Sequence, residues 1–419
     1  MTFEELKAVL FARSNFGMKL GLERMREALR LLGDPHLQYQ TLHVAGTNGK
    51  GSTCAFAEAS LRAAGLKTGL YTSPHLRHFC ERIRLDFAPV SEPHAAALLE
   101  EIVARVPWAL GDPGLTFFEI ATLMGFLAFA QAKIEVAVIE VGLGGRLDAT
   151  NLIEPRACAV TALGLEHTQH LGPTLAHVAR EKGGIFKPGV PAVSAGQPLE
   201  AARELSKLSK GLLWRPGRDY RFESRGDQPF CYAGPRWTVR AEPGLEGLHQ
   251  RGNAALACAL LEAAALPEVS PRHLERGLAS ARWPGRLERK GGRPEVLLDG
   301  AHNPHAAAAL ARSLRGRRVV LVFAAMQDKD ARAMLQELAK VAQEVHFCAA
   351  DSPRARSPDE LARLWPGVVH GSPAAALEAA RRTAGPEGTV LCCGSLYLVG
   401  ELEGILAGEA TPRMPSERL

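Results

Sequence analysis

Short apolar runs alternate with longer amphipathic stretches along most of this chain, the pattern of βαβ units around a mainly parallel sheet. Thr41–Ala45 reads as a strand, Thr53–Ala64 as a helix and Leu66–Tyr71 as the next strand. Phe117–Ala132 is apolar on all sides, as expected of a helix sealed against a sheet. Glu135–Val141 and Ala157–Ala162 are compact strands, and Leu175–Phe186 is a helix closed by Lys187, Pro188 and Gly189. From Tyr220 to Arg240, aromatic and β-favouring residues alternate with Gly and Pro, which predicts antiparallel hairpins appended to the main sheet. Helix returns over Gly252–Ala264. A second βα series follows Trp283-Pro284-Gly285, with strands at Val296–Leu298, Val319–Phe323, Val345–Cys348, Val368–His370 and Thr389–Cys393. The expected fold class is α/β, with two doubly wound domains (1–284 and 285–419) meeting at a cleft. No internal repeat is present, and the final dozen residues read as a disordered tail.

The 419 residues are 46% hydrophobic and 23% charged, with 41 Gly and 27 Pro, which excludes collagen-like and wholly disordered chains. Fifty Lys plus Arg against 45 Asp plus Glu leave a net charge of +5, spread without a block of like charge. Neither nucleic acid nor a membrane surface is demanded, and no basic stripe with interleaved aromatics marks a nucleic-acid face. The eight cysteines form no C-x-x-C pair and several lie in apolar runs, so reduced buried thiols in a cytoplasmic protein are expected. Met1–Asn15 lacks the apolar segment of a signal peptide, and Ile120–Ala130 is shorter than the ~18 apolar residues of a membrane span.

The strongest chemical signal is Ala45-Gly46-Thr47-Asn48-Gly49-Lys50-Gly51-Ser52, set between a strand and a helix. Glycines let backbone N–H groups approach phosphate oxygens, and the following helix N-terminus adds positive potential. Lys50 suits the terminal phosphates, and a hydroxyl at Ser52 or Thr53 suits a magnesium ion. The spacing departs from G-x-x-x-x-G-K-[ST], because position 44 is Val and Gly51 separates the lysine from the hydroxyl.

Other positions keep two readings on their own residues. Glu140 ends an apolar strand, where a carboxylate is either solvated or a magnesium ligand beside a phosphate loop. Ser73 is a turn residue before Pro74 or a ligand, and His167 a loop imidazole or a ligand. Lys182 and Lys187 are helix-end cations favoured by the dipole, unless chemistry claims them. Asp299 terminates a strand and His302 follows it, while Asn303-Pro304 opens a helix as cap and first residue. Arg286 offers a fork for phosphate oxygens, and Asn253 is either a helix N-cap or a group for an adenine edge.

Gly46–Ser52 resembles the ATP loop of the Mur ligase superfamily, and specifically of folylpolyglutamate synthases. Further landmarks fall in that family's order: Thr72-Ser73-Pro74-His75-Leu76, Glu140–Asn151 with its Gly-Leu-Gly-Gly-Arg-Leu-Asp core, Leu165-Glu166-His167-Thr168, Arg180–Gly189 and Leu298–Pro304. The resemblance implies an N-terminal P-loop Mur-ligase-type ATPase domain and a C-terminal Rossmann-like glutamate ligase domain. It implies two Mg²⁺ sites, Ser73 and Glu140 at one, Glu140 and His167 at the other, with K⁺ as a further candidate ion. It implies that Lys182 is carbamylated in support of the second site. One departure is Glu166, where relatives usually carry Asp.

The same resemblance implies ATP contacts from Gly49, Lys50, Gly51, Ser52, Asn253, Arg286 and Asp299, with His302 beside the phosphates and the reacting carboxylate. It implies a folate or pteroate site lined by Leu20, Gly21, Leu22, Thr116, Phe118, Glu119, Leu147, Asp148 and Ala149. Either Phe117 or Phe118 is expected in the core and the other against a flat ring, with Asp148 facing the donor edge of a pterin. The implied reaction is ATP-dependent amide formation through an acyl phosphate. Its substrates are L-glutamate with tetrahydrofolate and 7,8-dihydropteroate, handled by a cytoplasmic monomer without nucleic-acid or membrane partners. Three rivals remain: a peptidoglycan-precursor ligase, a P-loop phosphotransferase and a nucleotide-sensing module. The first usually needs a UDP-binding domain, and the 45 residues before Gly46 are fewer than the ~100 of a common domain.

Overall fold

The computed structural model describes residues 1–14, 21–112, 114–223, 225 and 228–409. Leu20 and the last ten residues of the expected tail lie outside them. The described residues divide into two units, one of Met1–Gly244 with Arg251–Ala281, the other of Leu245–Gln250 with Arg282–Glu409.

Among the described residues, the first unit carries an eight-stranded sheet in the order β4-β3-β2-β5-β1-β6-β7-β8. Its strands are β1 (Gln40–Ala45), β2 (Thr68–Tyr71), β3 (Ile83–Leu85), β4 (Ala88–Pro89), β5 (Val136–Glu140), β6 (Ala157–Val160), β7 (Ala192–Ser194) and β8 (Leu213–Trp214). All are parallel except β3 and β4, which hairpin back onto β2. Every residue of β5 is buried, which explains why Val136–Ile139 reads as a continuous apolar run, and β1 is buried in all but its first residue although it carries Thr41 and His43. The helix Phe117–Gln131 is buried almost all round, and Thr116 and Glu119 cap it reciprocally: Glu119 N donates to Thr116 Oγ1 at 3.2 Å, Thr116 N to Glu119 Oε2 at 2.8 Å.

The residues expected as hairpins appended to the main sheet form a separate three-stranded antiparallel sheet, β9 (Arg221–Phe222), β10 (Phe230–Ala233) and β11 (Thr238–Ala241). Glu262, fully buried in the helix Leu248–Ala264, anchors it by accepting Tyr232 OH at 2.7 Å and Trp237 N at 3.0 Å. The second unit holds β12 (Glu288–Arg289), β13 (Glu295–Leu298), β14 (Val319–Phe323), β15 (Ala342–Phe347), β16 (Val368–Val369) and β17 (Thr389–Cys393), in the order β12-β13-β17-β14-β15-β16. Only β12 is antiparallel. The protein is thus α/β with a wound, largely parallel sheet in each unit.

Three helix boundaries moved. The helix after the phosphate loop begins at Lys50 rather than Thr53, because Gly49 takes the capping position. Leu175–Gly183 stops before Ile185 and Phe186, which turn inward to pack beneath the sheet. The helix expected from Gly252 begins at Leu248, its first turn made of His, Gln and Arg rather than apolar residues. All eight cysteines are free, seven of them buried, and among the described residues no helix is long and apolar enough to cross a membrane.

Candidate active site

The first unit gathers polar groups at the carboxyl edge of four neighbouring parallel strands. In the order β2-β5-β1-β6, Ser73 lies beyond β2, Glu140 ends β5, the Gly46–Gly51 loop follows β1, and Glu166 and His167 follow β6. The chain leaves β1 towards β2 and β5 towards β6, the reversal at which open α/β sheets form a crevice.

Steric demands shape the loop. Gly46 has φ +147°, and a Cβ there would collide with Thr161 Oγ1; Gly49 has φ +92°, and a Cβ would collide with the Asn253 amide. Thr47 N and Asn48 N donate to Ala162 O at 3.3 and 3.2 Å, and Thr47 Oγ1 donates to Gly164 O at 3.1 Å. Gly51 and Ser52 are buried in the first turn of the helix Lys50–Ala63, whose N-terminal amides stand at the loop. Asn253, five residues into its helix, is no N-cap; its amide lies against the loop glycine.

Two lysines converge on one carbonyl. Lys50 Nζ donates to Gly46 O at 3.1 Å and Thr47 O at 3.4 Å, and Lys182 Nζ donates to Gly46 O at 2.8 Å. Lys182 is 1% exposed, and Glu166 Oε1 accepts from it at 2.9 Å. Burial, assisted by Lys50, pulls the Lys182 pKa below its usual value despite Glu166. Burial pushes the Glu166 carboxyl up, but Lys182 and Lys50 outweigh it and hold it at about 2. Glu166 is therefore an anion, and the surroundings of Gly46 O are cationic.

Glu140, buried, accepts Ser73 N at 3.4 Å. Among the described residues, no three His, Cys, Asp or Glu side chains cluster so as to hold a metal by themselves. A single buried carboxylate beside a phosphate loop still fits magnesium, which keeps waters and takes one or two carboxylates plus phosphate oxygens. His167 follows Glu166 in a left-handed conformation, φ +46°.

Beside this edge stands a second group. Phe117 is a core residue, 5.0 Å from the Arg82 guanidinium, whereas Phe118 is half-buried with its ring where a Cβ at Gly142 would lie. Glu119 caps its own helix and pairs with Arg24 Nη2 at 3.0 Å, which ties the helix Glu23–Leu31, opened by Gly21 and Leu22, to Thr116–Glu119. Leu147 is half-buried and Ala149 buried. Asp148 differs from the expected ring-facing acceptor. Its Oδ2 accepts Gly142 N and Leu143 N at 3.0 Å each, and its Oδ1 accepts Thr150 N at 3.0 Å and Thr150 Oγ1 at 2.5 Å. The carboxylate holds its own loop together before it meets any ligand.

In the second unit, Asp299 follows β13 and accepts Leu287 N at 2.8 Å and Ala301 N at 2.9 Å. The Arg286 guanidinium fills the space above Gly300, where any side chain would displace it. His302 Nδ1 lies 2.7 Å from Gly300 O, which places the ring proton on Nδ1. Asn303 Oδ1 accepts Ala306 N at 2.8 Å and caps the helix Pro304–Ser313, as its sequence predicted.

Glu166, Arg24 and Thr161 had no assigned role in the sequence. Arg24 did leave a trace: a cation in the first turn of a helix opposes the dipole and needs a partner elsewhere.

The dihydrofolate synthase/folylpolyglutamate synthase of Bacillus subtilis is 33% identical over 96% of this chain and 98% of its own length. This chain belongs to the folylpolyglutamate synthase/dihydrofolate synthase family. The family sits in the Mur ligase superfamily, and the model of the Mur ligase glutamate ligase domain matches residues 285–396. A solved family member, Escherichia coli FolC in complex with DHPP and ADP, superposes with a TM-score of 0.89 at 34% identity, covering 97% of this chain and 98% of that one. A bifunctional synthase with Mn, AMPPNP and L-glutamate bound superposes with a TM-score of 0.86 at 32% identity, over 97% and 98% of the two chains. The chain spans about half the length of two haloarchaeal relatives, the probable bifunctional folylpolyglutamate synthase/dihydropteroate synthases of Haloferax volcanii and Halobacterium salinarum; each is 38% identical over 96% of this chain.

Proposed function

We propose that this protein uses ATP to join L-glutamate to folates, and that it also accepts 7,8-dihydropteroate. The observation that carries the reading is the convergence of Lys50 and Lys182 on Gly46 O, beside Glu140, at the carboxyl edge of β1 and β5. The ligands of its relatives support it: ADP with DHPP in one, and Mn, AMPPNP and L-glutamate in the other.

An acceptor carboxylate oxygen takes the γ-phosphoryl group of ATP, and ADP leaves. The α-amine of glutamate then attacks the acyl carbon, loses a proton and expels phosphate. Lys50 turns from its loop carbonyls to the terminal phosphates, while the loop amides and helix N-terminus bind the remaining oxygens. Glu140 and Ser73 would hold one magnesium ion, and Glu140 with His167 a second. Bound there, magnesium would neutralise charge on the transferring phosphoryl group. Gly49, Gly51, Ser52 and Asn253 line the loop side of the nucleotide. In the second unit, Arg286 is assigned to phosphate, Asp299 to the ribose side and His302 to the reacting groups. Gly21, Leu22, Thr116, Phe118, Glu119, Leu147 and Ala149 are assigned to the acceptor, with Asp148 shaping the loop.

Lys182 is assigned a carbamate: its neutral amine adds CO₂ and releases a proton, which burial favours by lowering the pKa. The added carboxylate would face Glu166 across the present 2.9 Å contact, so the modification requires a cation or a proton between them. Mass spectrometry of products from Mg-ATP, L-glutamate and either tetrahydrofolate or dihydropteroate tests the function. Glutamyl products with both acceptors are expected. Phosphate release without glutamate, or a phosphorylated acceptor as end product, would overturn it.

A further inference from the structure

One buried residue of β1 has no part in the loop that the strand carries. His43 is fully buried and sits in register with Cys158 of β6. Its Nε2 lies 2.9 Å from Thr150 Oγ1, which donates to Asp148 Oδ1 at 2.5 Å. A threonine has one hydroxyl proton, and here Asp148 receives it. The His43 ring must therefore carry its proton on Nε2 and donate to Thr150. Its Nδ1 then bears a lone pair, buried and without a partner among the described residues. Such a nitrogen destabilises a fold, so packing alone would be better served by an apolar side chain of similar size. Burial, with Lys187 adding to it, holds the ring pKa down at about 3. The neutral ring thus offers a fixed donor rather than a charge.

From Asp148 the chain of bonds continues to Gly142 N and Leu143 N, immediately after Glu140 and β5. Gly142 is also the residue on which the Phe118 ring rests. One donor inside the nucleotide strand therefore reaches the turn that supports the acceptor side.

We propose that His43 is a positioning residue for the acceptor: through Thr150 it orients Asp148, and through Asp148 it sets the 142–148 turn beneath Phe118. The proposal rests on the folate reading above, which assigns Phe118 and the Asp148 loop to the acceptor.

His43→Leu removes the donor together with the unpaired nitrogen. The expected result is a melting temperature equal to wild type or higher, with the acceptor KM raised about five- to tenfold and the ATP KM within about twofold. His43→Gln, whose amide can donate from a similar reach, restores the acceptor KM. Thr150→Val reproduces the defect, and the double variant His43→Leu/Thr150→Val is no worse than Thr150→Val alone. Independently of substrate, amide exchange at Gly142 and Leu143 quickens in His43→Leu and returns to normal in His43→Gln. Unchanged exchange there, equal rises in both KM values, or additive single effects would each overturn the relay. If wild-type protein ligates no folate or pteroate, the folate reading falls, and the exchange measurement still decides the relay.

Discussion

The carboxyl edges of the two sheets solve the same problem in opposite ways. Beyond β13, Asp299, His302 and Asn303 bond to backbone no more than 12 residues away in sequence, so the loop closes largely on its own surroundings. Beyond β1, β5 and β6, partners come from far along the chain: Lys182 meets Gly46 O and Glu166, and Glu140 meets Ser73 N. The second arrangement keeps full charges buried, where Coulombic terms are strong and an unmatched charge is costly. Local bonds make a rigid ledge; long-range buried charge makes a site that responds when another charge arrives.

The sharpest way to break that contrast is to remove charge from the first edge. Glu140→Ala should lower ligation by about 10²- to 10³-fold or more while leaving the fold intact, read as glutamate-dependent ADP release alongside circular dichroism. Near-normal turnover would remove Glu140 from the metal site. Lys182→Ala should be comparably inactive and, against the unmodified lysine, also less stable by about 3–5 kcal/mol, because Glu166 is left buried without its cation. Lys182→Ala/Glu166→Gln should recover the stability, in urea titration, without recovering activity. Partial rescue of Lys182→Ala by added short-chain acids supports the carbamate, and wild-type rates without rescue argue against it.

The same contrast explains what could be read from letters alone. The parallel strands were legible because strands such as β5 and β14 are buried on both faces and must be written as largely apolar runs. The phosphate loop and the Asn303-Pro304 cap were legible because their chemistry is contiguous. Lys182 and Glu166 are 16 residues apart and meet only because the helix Leu175–Gly183 folds back after β6. His43 is a polar letter in the middle of a buried strand, and nothing nearby in sequence announces Thr150. The cap alternative for Asn253 fails because its helix begins at Leu248, where polar residues follow without apolar periodicity. Nor can a sequence show that four donors within its own loop already meet Asp148.

A smaller effect is expected from the self-contained edge. Asp299→Ala strands the buried N–H groups of Leu287 and Ala301, at about 1–3 kcal/mol for each left unsatisfied. The second unit should lose stability, and kcat/KM for ATP should fall by about tenfold. Asp299→Asn keeps one acceptor oxygen and should lose about half as much. Equal activity in the two variants would show that the charge, rather than the turn it holds, is what matters.

The least effect at neutral pH, and the one that separates burial from function, concerns His43. Its folded pKa is about 3 against an ordinary 6.5, chiefly through burial, so the folded chain binds its proton far less readily than the unfolded chain. As pH falls below 6.5 the unfolded chain takes up that proton first, and stability is lost progressively until about pH 3; above 6.5 the contribution is constant. Burial lowers His75 and His249 in the same direction, so the whole protein should weaken with acid. His43→Gln removes one titrating group and keeps the donor to Thr150. Its urea midpoint should therefore fall less steeply than wild type between pH 6 and about pH 4, with activity at neutral pH close to wild type. A parallel slope would mean that His43 is protonated in the folded state, which burial and the neighbouring Lys187 both oppose.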